Sequence, residues 1–422
     1  MLNKKSLAFI LISAMALSLS VKFTYIKNTP KTITILYWDD KLFDLCDTDD
    51  HTPLNVYKTY CFFRDIMKSS YGYHTIVKPI EPFDEKYFKQ SDRIFYPFYV
   101  NVPAQKFLTL HKYKSKIFAH LAESPISRGH VQTARLFSKK IFTYDSSEQN
   151  GQNIFQVMIP YAFRESFEQI DYKNKDILIK QIASANDFTI AYFHRWSAVR
   201  YFVENHPEDF QFYGKNWEKI KPFLSSDSEQ SFQKQYGGVV DDKIKTLQNA
   251  KFVLALENYR HNGYISEKIF DAMQADAVPI YWGAKDIKNY IPSQCYIDFD
   301  DFKSFEKLYN FIKNMSPQEY EKYRNCIHNF IDNFKTTPFY NKTVIRQLIN
   351  HMEDNSIYSL IDGKNYNLFI PQYANFQKYC LLENPTKCGK LKKIDSNKIE
   401  IFWDDKTQTS YTKDKLNNYI KD

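Results

Sequence analysis

The loop Glu257-Asn258-Tyr259-Arg260-His261-Asn262-Gly263 stands between an apolar run, Lys251 to Leu256, and a segment that opens Tyr264-Ile265-Ser266-Glu267-Lys268. The run reads as a buried strand. The segment reads as an amphipathic helix over Tyr264 to Ala275, because Ile265, Ile269 and Met273 recur four apart on one face. In open α/β sheets a ligand sits beyond the carboxyl ends of the strands. There the next helix aims its unpaired N–H groups and partial positive charge. Lys268 adds a full charge, so the junction suits a diphosphate, and Glu267 suits ribose hydroxyls. Pattern alone leaves open that Glu267 and Lys268 are the surface residues of an ordinary helix start. Asp298-Phe299-Asp300 has the spacing of a divalent-cation motif. It stands late in the chain, and two carboxylates two apart are common by chance.

Around that junction the sequence predicts alternating elements. Ile33 to Trp38, Asp92 to Tyr96 and Lys116 to Leu121 read as strands, and Val56 to Met67 as a helix. A second alternating unit begins with Phe188 to Tyr192, read as a strand, and continues with Phe210 to Gly214. Lys251 to Leu256, the helix and Val278 to Trp282 then form one strand-helix-strand unit. Leu308 to Met315 and Gln318 to Phe334 read as terminal helices. Such alternation implies parallel sheets with crossover helices. The expectation is two α/β domains, 32–170 and 171–355, with ligands in the cleft between them.

Three blocks closely resemble the signature of the α1,3/α1,4-fucosyltransferase family, glycosyltransferase family 10. They are Phe252-Val253-Leu254-Ala255-Leu256-Glu257-Asn258, Gly263-Tyr264-Ile265-Ser266-Glu267-Lys268-Ile269 and Ala277-Val278-Pro279-Ile280-Tyr281-Trp282-Gly283. Leu256 replaces the usual Phe, and Gly263 stands where Asp is common. Ala122-Glu123-Ser124-Pro125 is similar to the family's E-S-P element. Phe142-Thr143-Tyr144, Ile159-Pro160-Tyr161, Phe212-Tyr213-Gly214 and Asp298 to Phe302 resemble further family segments, so the likeness runs over about residues 33–350.

The resemblance implies a GT-B architecture, two Rossmann-like domains facing across a cleft, with GDP-fucose on the C-terminal one. It also implies transfer with inversion to a glycan hydroxyl, the 3-OH of GlcNAc in an N-acetyllactosamine-type or N-glycan acceptor. Glu123 would be the general base, and Lys268 and Arg200 would neutralise the leaving diphosphate, with Arg195 the other arginine near that position. Glu267 would hold the ribose, and Tyr264 and Asn258 would line the donor site. No cofactor or metal is required on this reading, because Lys and Arg do the work of a cation. The alternatives are a metal-dependent glycosyltransferase using Asp298 and Asp300, and an inactive glycan-binding protein whose 32 Tyr and 35 Phe stack on sugars. Retention of Glu123, Glu267 and Lys268 argues against the latter.

The remaining features bound the setting. The chain has 422 residues and a net charge of +8, with no basic run dense enough for nucleic acid. Lys4 and Lys5 precede an uncharged run, Ser6 to Val21, followed by Lys22. We read residues 1–31 as a signal anchor and stem, leaving a single-pass type II protein, Golgi-lumenal in a eukaryote. Ala14-Met15-Ala16 allows the alternative of cleavage and secretion. The cysteines form no CxxC pair, so zinc is disfavoured. Cys380 and Cys388 are near enough to close a small disulfide loop. Residues 356–422, rich in Lys, Asn and Tyr, read as a C-terminal extension, partly disordered.

Overall fold

A computed structural model describes residues 31–37, 55–79, 84–97, 110–123, 131–164, 167–186 and 190–352, and strands between 358 and 421. The expected anchor (6–21), Ser124, Pro125 and Phe188 lie outside the described residues.

The first sheet contains β1 (Thr32–Tyr37), β2 (His74–Pro79), β3 (Arg93–Pro97), β4 (Ile117–Leu121), β5 (Lys140–Thr143) and β6 (Ile154–Gln156). Its order is β2-β1-β3-β4-β5-β6, parallel throughout. Alternation along each strand feeds two apolar layers. Ile33, Ile35, Phe95, Phe118 and Phe142 face one layer with Phe63 and Met67 of α1 (Asn55–Ser69). Leu36, Ile94, Ile117, Ala119 and Ile141 face the other with Ala134 and Phe137.

The second sheet contains β7 (Ile177–Ile182), β8 (Phe210–Tyr213), β9 (Ala250–Leu256), β10 (Val278–Trp282) and β11 (Ile297–Asp298), in the order β11-β10-β9-β7-β8. These strands are also parallel. The helices that matter to the site are α2 (Ile190–Asn205), α3 (Lys243–Leu247) and α4 (Glu267–Gln274). The strand expected at Phe188–Tyr192 is replaced by the start of α2 from Ile190 onward. A five-residue apolar run fits either a strand or a buried helix turn, and periodicity cannot choose between them. The strand that opens this sheet is β7.

Later helices tie the parts together. Cys295 is bridged to Cys326 of α5 (Pro317–Asp332). The next helix, α6 (Asn341–Met352), returns to the first sheet. There Lys140 Nζ donates to His351 O at 2.6 Å, and the Phe155 and His351 rings stack at 3.8 Å. The segment expected to be a partly disordered extension carries a third sheet of β12 (Tyr358–Ile361), β13 (Asn367–Leu368), β14 (Lys378–Leu381), β15 (Cys388–Lys393), β16 (Lys398–Trp403), β17 (Gln408–Lys413) and β18 (Tyr419–Lys421), in the order β12-β14-β15-β16-β17-β18-β13. Cys380 and Cys388 stand directly opposite in its β14 (Lys378–Leu381) and β15 (Cys388–Lys393) antiparallel pair.

Candidate active site

A cavity of about 430 Å³ opens at the carboxyl ends of β7, β8 and β9. In the order β8-β7-β9 the chain leaves β7 to one side and returns on the other, which is the switch point where open α/β sheets bind ligands. Gly214, just past β8, has φ +124°, and a Cβ there would meet Ala183 O at 1.9 Å. A side chain at 214 would force the two strand ends apart and deform the wall that Ala183 and Gly214 form.

The helix-start chemistry is assembled by Glu257, a residue to which the sequence analysis gave no role. Glu257, fully buried at the end of β9, accepts from Ser266 N and Ser266 Oγ, both at 2.7 Å. Its carboxylate thereby occupies the cap of α4 and uses the positive end of that helix. Lys268 Nζ lies 3.2 Å from Glu257 Oε2 and donates to Ser266 Oγ at 2.7 Å. Burial works against the Lys268 ammonium, but Glu257 and Glu267 outweigh it and raise its pKa. Burial would also raise the Glu267 carboxyl. Lys268 and Lys243 prevail there and hold it at about 2. Helix α4 starts at Glu267, not at Tyr264, because Ser266 is extended (φ −100°, ψ −172°) and Gly263 has φ +72°.

Of the expected donor residues, Asn258, Glu267, Lys268 and Arg195 line the cavity together. Arg195 is buried on α2, donating to Leu256 O at 2.5 Å and to Asn258 Oδ1 at 2.6 Å. Arg200 is not with them. Its side chain is 57% exposed and pairs with Glu204 at 3.3 Å. Five helical residues turn the side chain by roughly 140°, so the two arginines of α2 cannot serve one site. Tyr264 does not line the cavity either. Its buried ring lies 5.1 Å from Tyr144, which follows β5 of the first sheet.

Sequence reasoning missed two further cavity residues, Lys243 and Asp271. Lys243 Nζ is 3.6 Å from Asp271 and 3.9 Å from Glu267, and Asp271 accepts from Tyr161 Oη at 2.9 Å. Asp271 lies four residues after Glu267, one turn along α4, so helical spacing was the signal available for it.

Glu123 is half-buried, two residues beyond β4. Tyr144 Oη donates to Glu123 O at 3.5 Å. Burial, chiefly, raises the Tyr144 and Tyr264 phenols, and the Glu123 charge adds to both shifts. Glu123 therefore lies within electrostatic reach of a tyrosine pair, of which Tyr264 also feels Glu257 and Glu267.

Asp298 and Asp300 are otherwise employed. Asp298 Oδ1 accepts from Asp300 N at 3.0 Å, capping a short turn, and Asp300 pairs with Arg260. Among the described residues, no group of three or more His, Cys, Asp or Glu could hold a metal ion. No helix among them is long and apolar enough to cross a membrane.

A cavity lined by Arg195, Lys243 and Lys268 at the switch point of a parallel sheet has the position and charge that nucleotide sites have in open α/β folds. Residues 218–374 match the model of glycosyltransferase family 10 (fucosyltransferase), C-terminal part. An Arabidopsis thaliana α-(1,4)-fucosyltransferase is 34% identical over 85 residues, which is 19% of this chain and 21% of that protein. A Mus musculus 4-galactosyl-N-acetylglucosaminide 3-α-L-fucosyltransferase 9 is 33% identical over 109 residues, 24% of this chain and 30% of its own. A Helicobacter pylori α-(1,3)-fucosyltransferase is 23% identical over 245 residues, 49% of this chain and 50% of its own. The chain thus spans half or less of the length of these relatives. Among solved structures, an α1,3-fucosyltransferase aligns over 78% of this chain and 92% of its own, with a TM-score of 0.47 at 15% identity.

Proposed function

We propose that the protein is an inverting fucosyltransferase of GT-B architecture, with residues 32–170 binding the acceptor and 171–355 binding GDP-β-L-fucose. The observation that carries this reading is the cavity itself, where Arg195, Lys243 and Lys268 converge at strand ends within and beside the block that matches the family model. The acceptor oxygen attacks the anomeric carbon as the bond to the diphosphate breaks on the opposite face, so a β-linked donor yields an α-fucoside. Glu123 takes the hydroxyl proton. Lys268 and Arg195, in place of Arg200, offset the charge that develops on GDP. Glu267 holds the ribose and Asn258 lines the nucleotide. The mouse relative's name supports an N-acetyllactosamine-type acceptor and its GlcNAc 3-OH. The hydrophobic N-terminal run supports residues 1–31 as the anchor of a type II membrane protein, with 356–422 appended.

The test is incubation with labelled GDP-fucose and a panel of N-acetyllactosamine and N-glycan acceptors. Labelled α-fucoside is the expected product. Absence of both transfer and donor hydrolysis would refute the reading. Fractionation of the expressed full chain checks the anchor, since recovery in the soluble fraction after alkaline wash would remove it.

A further inference from the structure

The loop from Glu257 to Ser266 is held at its base and at its tip by different machinery. At the base, beside the cavity, Glu257, Ser266 and Lys268 bind one another. At the tip, His261 and Gly263 meet residues that follow β5 of the first sheet. Asp145, 6% exposed, lies just past β5 and keeps its Oδ1 on Ser147 N and Oγ, at 2.9 and 2.6 Å. Its Oδ2 meets His261 Nε2 at 2.5 Å. Two residues on, Gly263 packs so closely that a Cβ would stand 2.2 Å from Tyr144 O, and its N–H donates to Asp286 Oδ1 at 2.8 Å. The His261 ring also lies 5.8 Å from Tyr259 and edge-on to Tyr144.

We propose that His261 and Asp145 are an interdomain clasp, a pair of positioning residues that set Tyr259 and Tyr264 of the donor loop against Glu123 on the acceptor side. The proposal rests on the fucosyltransferase reading above. Neither residue lines the donor cavity. Releasing the clasp leaves the cations of the cavity where they are and frees only the surface that an acceptor sugar must meet. Donor binding then persists while transfer to a hydroxyl falls. Water takes the place of the acceptor in a larger share of turnovers, giving free fucose and GDP. The partly buried contact has a carboxylate on one side and a ring N–H on the other, a charge-assisted bond whose geometry constrains both chain segments.

The experiment compares the full chain with its His261→Ala, His261→Gln and Asp145→Asn variants. It measures fucose transfer to N-acetyllactosamine, donor hydrolysis and GDP affinity. In His261→Ala and Asp145→Asn, transfer is expected to fall by about 10- to 100-fold and GDP affinity to change by less than ~2-fold, since misplacement by an ångström is enough for such a loss. The hydrolysis-to-transfer ratio rises in both. His261→Gln, whose amide nitrogen reaches the place of Nε2, recovers part of the transfer. An active wild type with an indifferent His261→Ala overturns the clasp. So does a parallel loss of transfer and GDP affinity that Gln does not recover. A wild type that neither transfers nor hydrolyses the donor overturns the fucosyltransferase reading, and the proposal with it.

Discussion

The two parallel sheets share a strand order through their first five strands, yet their carboxyl ends carry opposite chemistry. The order β2-β1-β3-β4-β5 of the first repeats as β8-β7-β9-β10-β11 in the second. The second sheet presents Arg195, Lys243 and Lys268 around a cavity. The first presents Glu123, Tyr144 and Asp145, of which Tyr144 and Asp145 are buried. Topology places a ligand edge on each, and the residues that end the strands decide what that edge attracts. On the proposed inverting mechanism, the cationic edge would take the leaving group and the acidic, aromatic edge the proton.

The largest expected effect separates those roles. Glu123→Gln should lower transfer by about 10²- to 10⁴-fold with GDP affinity intact by calorimetry. An equal loss of binding would mean the two edges are not chemically distinct. Next, Lys268→Met should abolish GDP binding and cost about 3 kcal/mol or more of folding stability, because it leaves Glu257 buried and unpaired. Adding Glu257→Gln should restore the melting temperature without restoring GDP affinity, which divides the structural duty of Lys268 from its ligand duty.

The arginine choice gives a smaller effect. Arg195→Lys should weaken GDP binding by roughly 10-fold through loss of the planar fork. Arg200→Ala should change stability by no more than about 0.5 kcal/mol and leave binding unchanged. Comparable losses at both positions would contradict the geometry of α2. The smallest effect concerns acid. The folded Glu267 carboxyl lies at about 2, below its ordinary 4.5. Its contribution to stability is therefore complete above pH 4.5 and is lost as pH falls through about 2. Denaturant unfolding curves of Glu267→Gln and wild type, followed by circular dichroism at each pH, should be separated by a constant gap above pH 4.5 that closes across that interval. Coincident curves would show that Lys243 and Lys268 do not hold the group.

Elements with local signals were legible. Lys251 to Leu256 and Val278 to Trp282 read as strands because each is a short apolar run, and both appear as β9 and β10 with at most one residue of difference. The strand Lys398–Trp403 shows a missed signal, since Ile399 and Ile401 alternate with Lys398 and Glu400 in the period of a half-buried strand. Composition rich in Lys and Asn drew attention away from that alternation. The start of α4 was misplaced because a helical face can be read through Ile265, whereas the cap belongs to a serine bound by a distant carboxylate. Gly263, a departure from the family pattern, has its reason in the approach to Tyr144 O.

What the sequence by itself determined is the part of the site whose members are neighbours along the chain. Glu257, Asn258, Glu267 and Lys268 are joined by one strand end, one loop and one helix start, so local geometry alone brings them together. Only the tertiary structure decided the rest. Arg195 reaches Leu256 across 61 residues, Tyr161 reaches Asp271 across 110, and Asp145 reaches His261 across 116. Those distances close because of strand order and the rotation of each helix on its sheet. Both are set by how whole faces are buried, and no short segment carries that information.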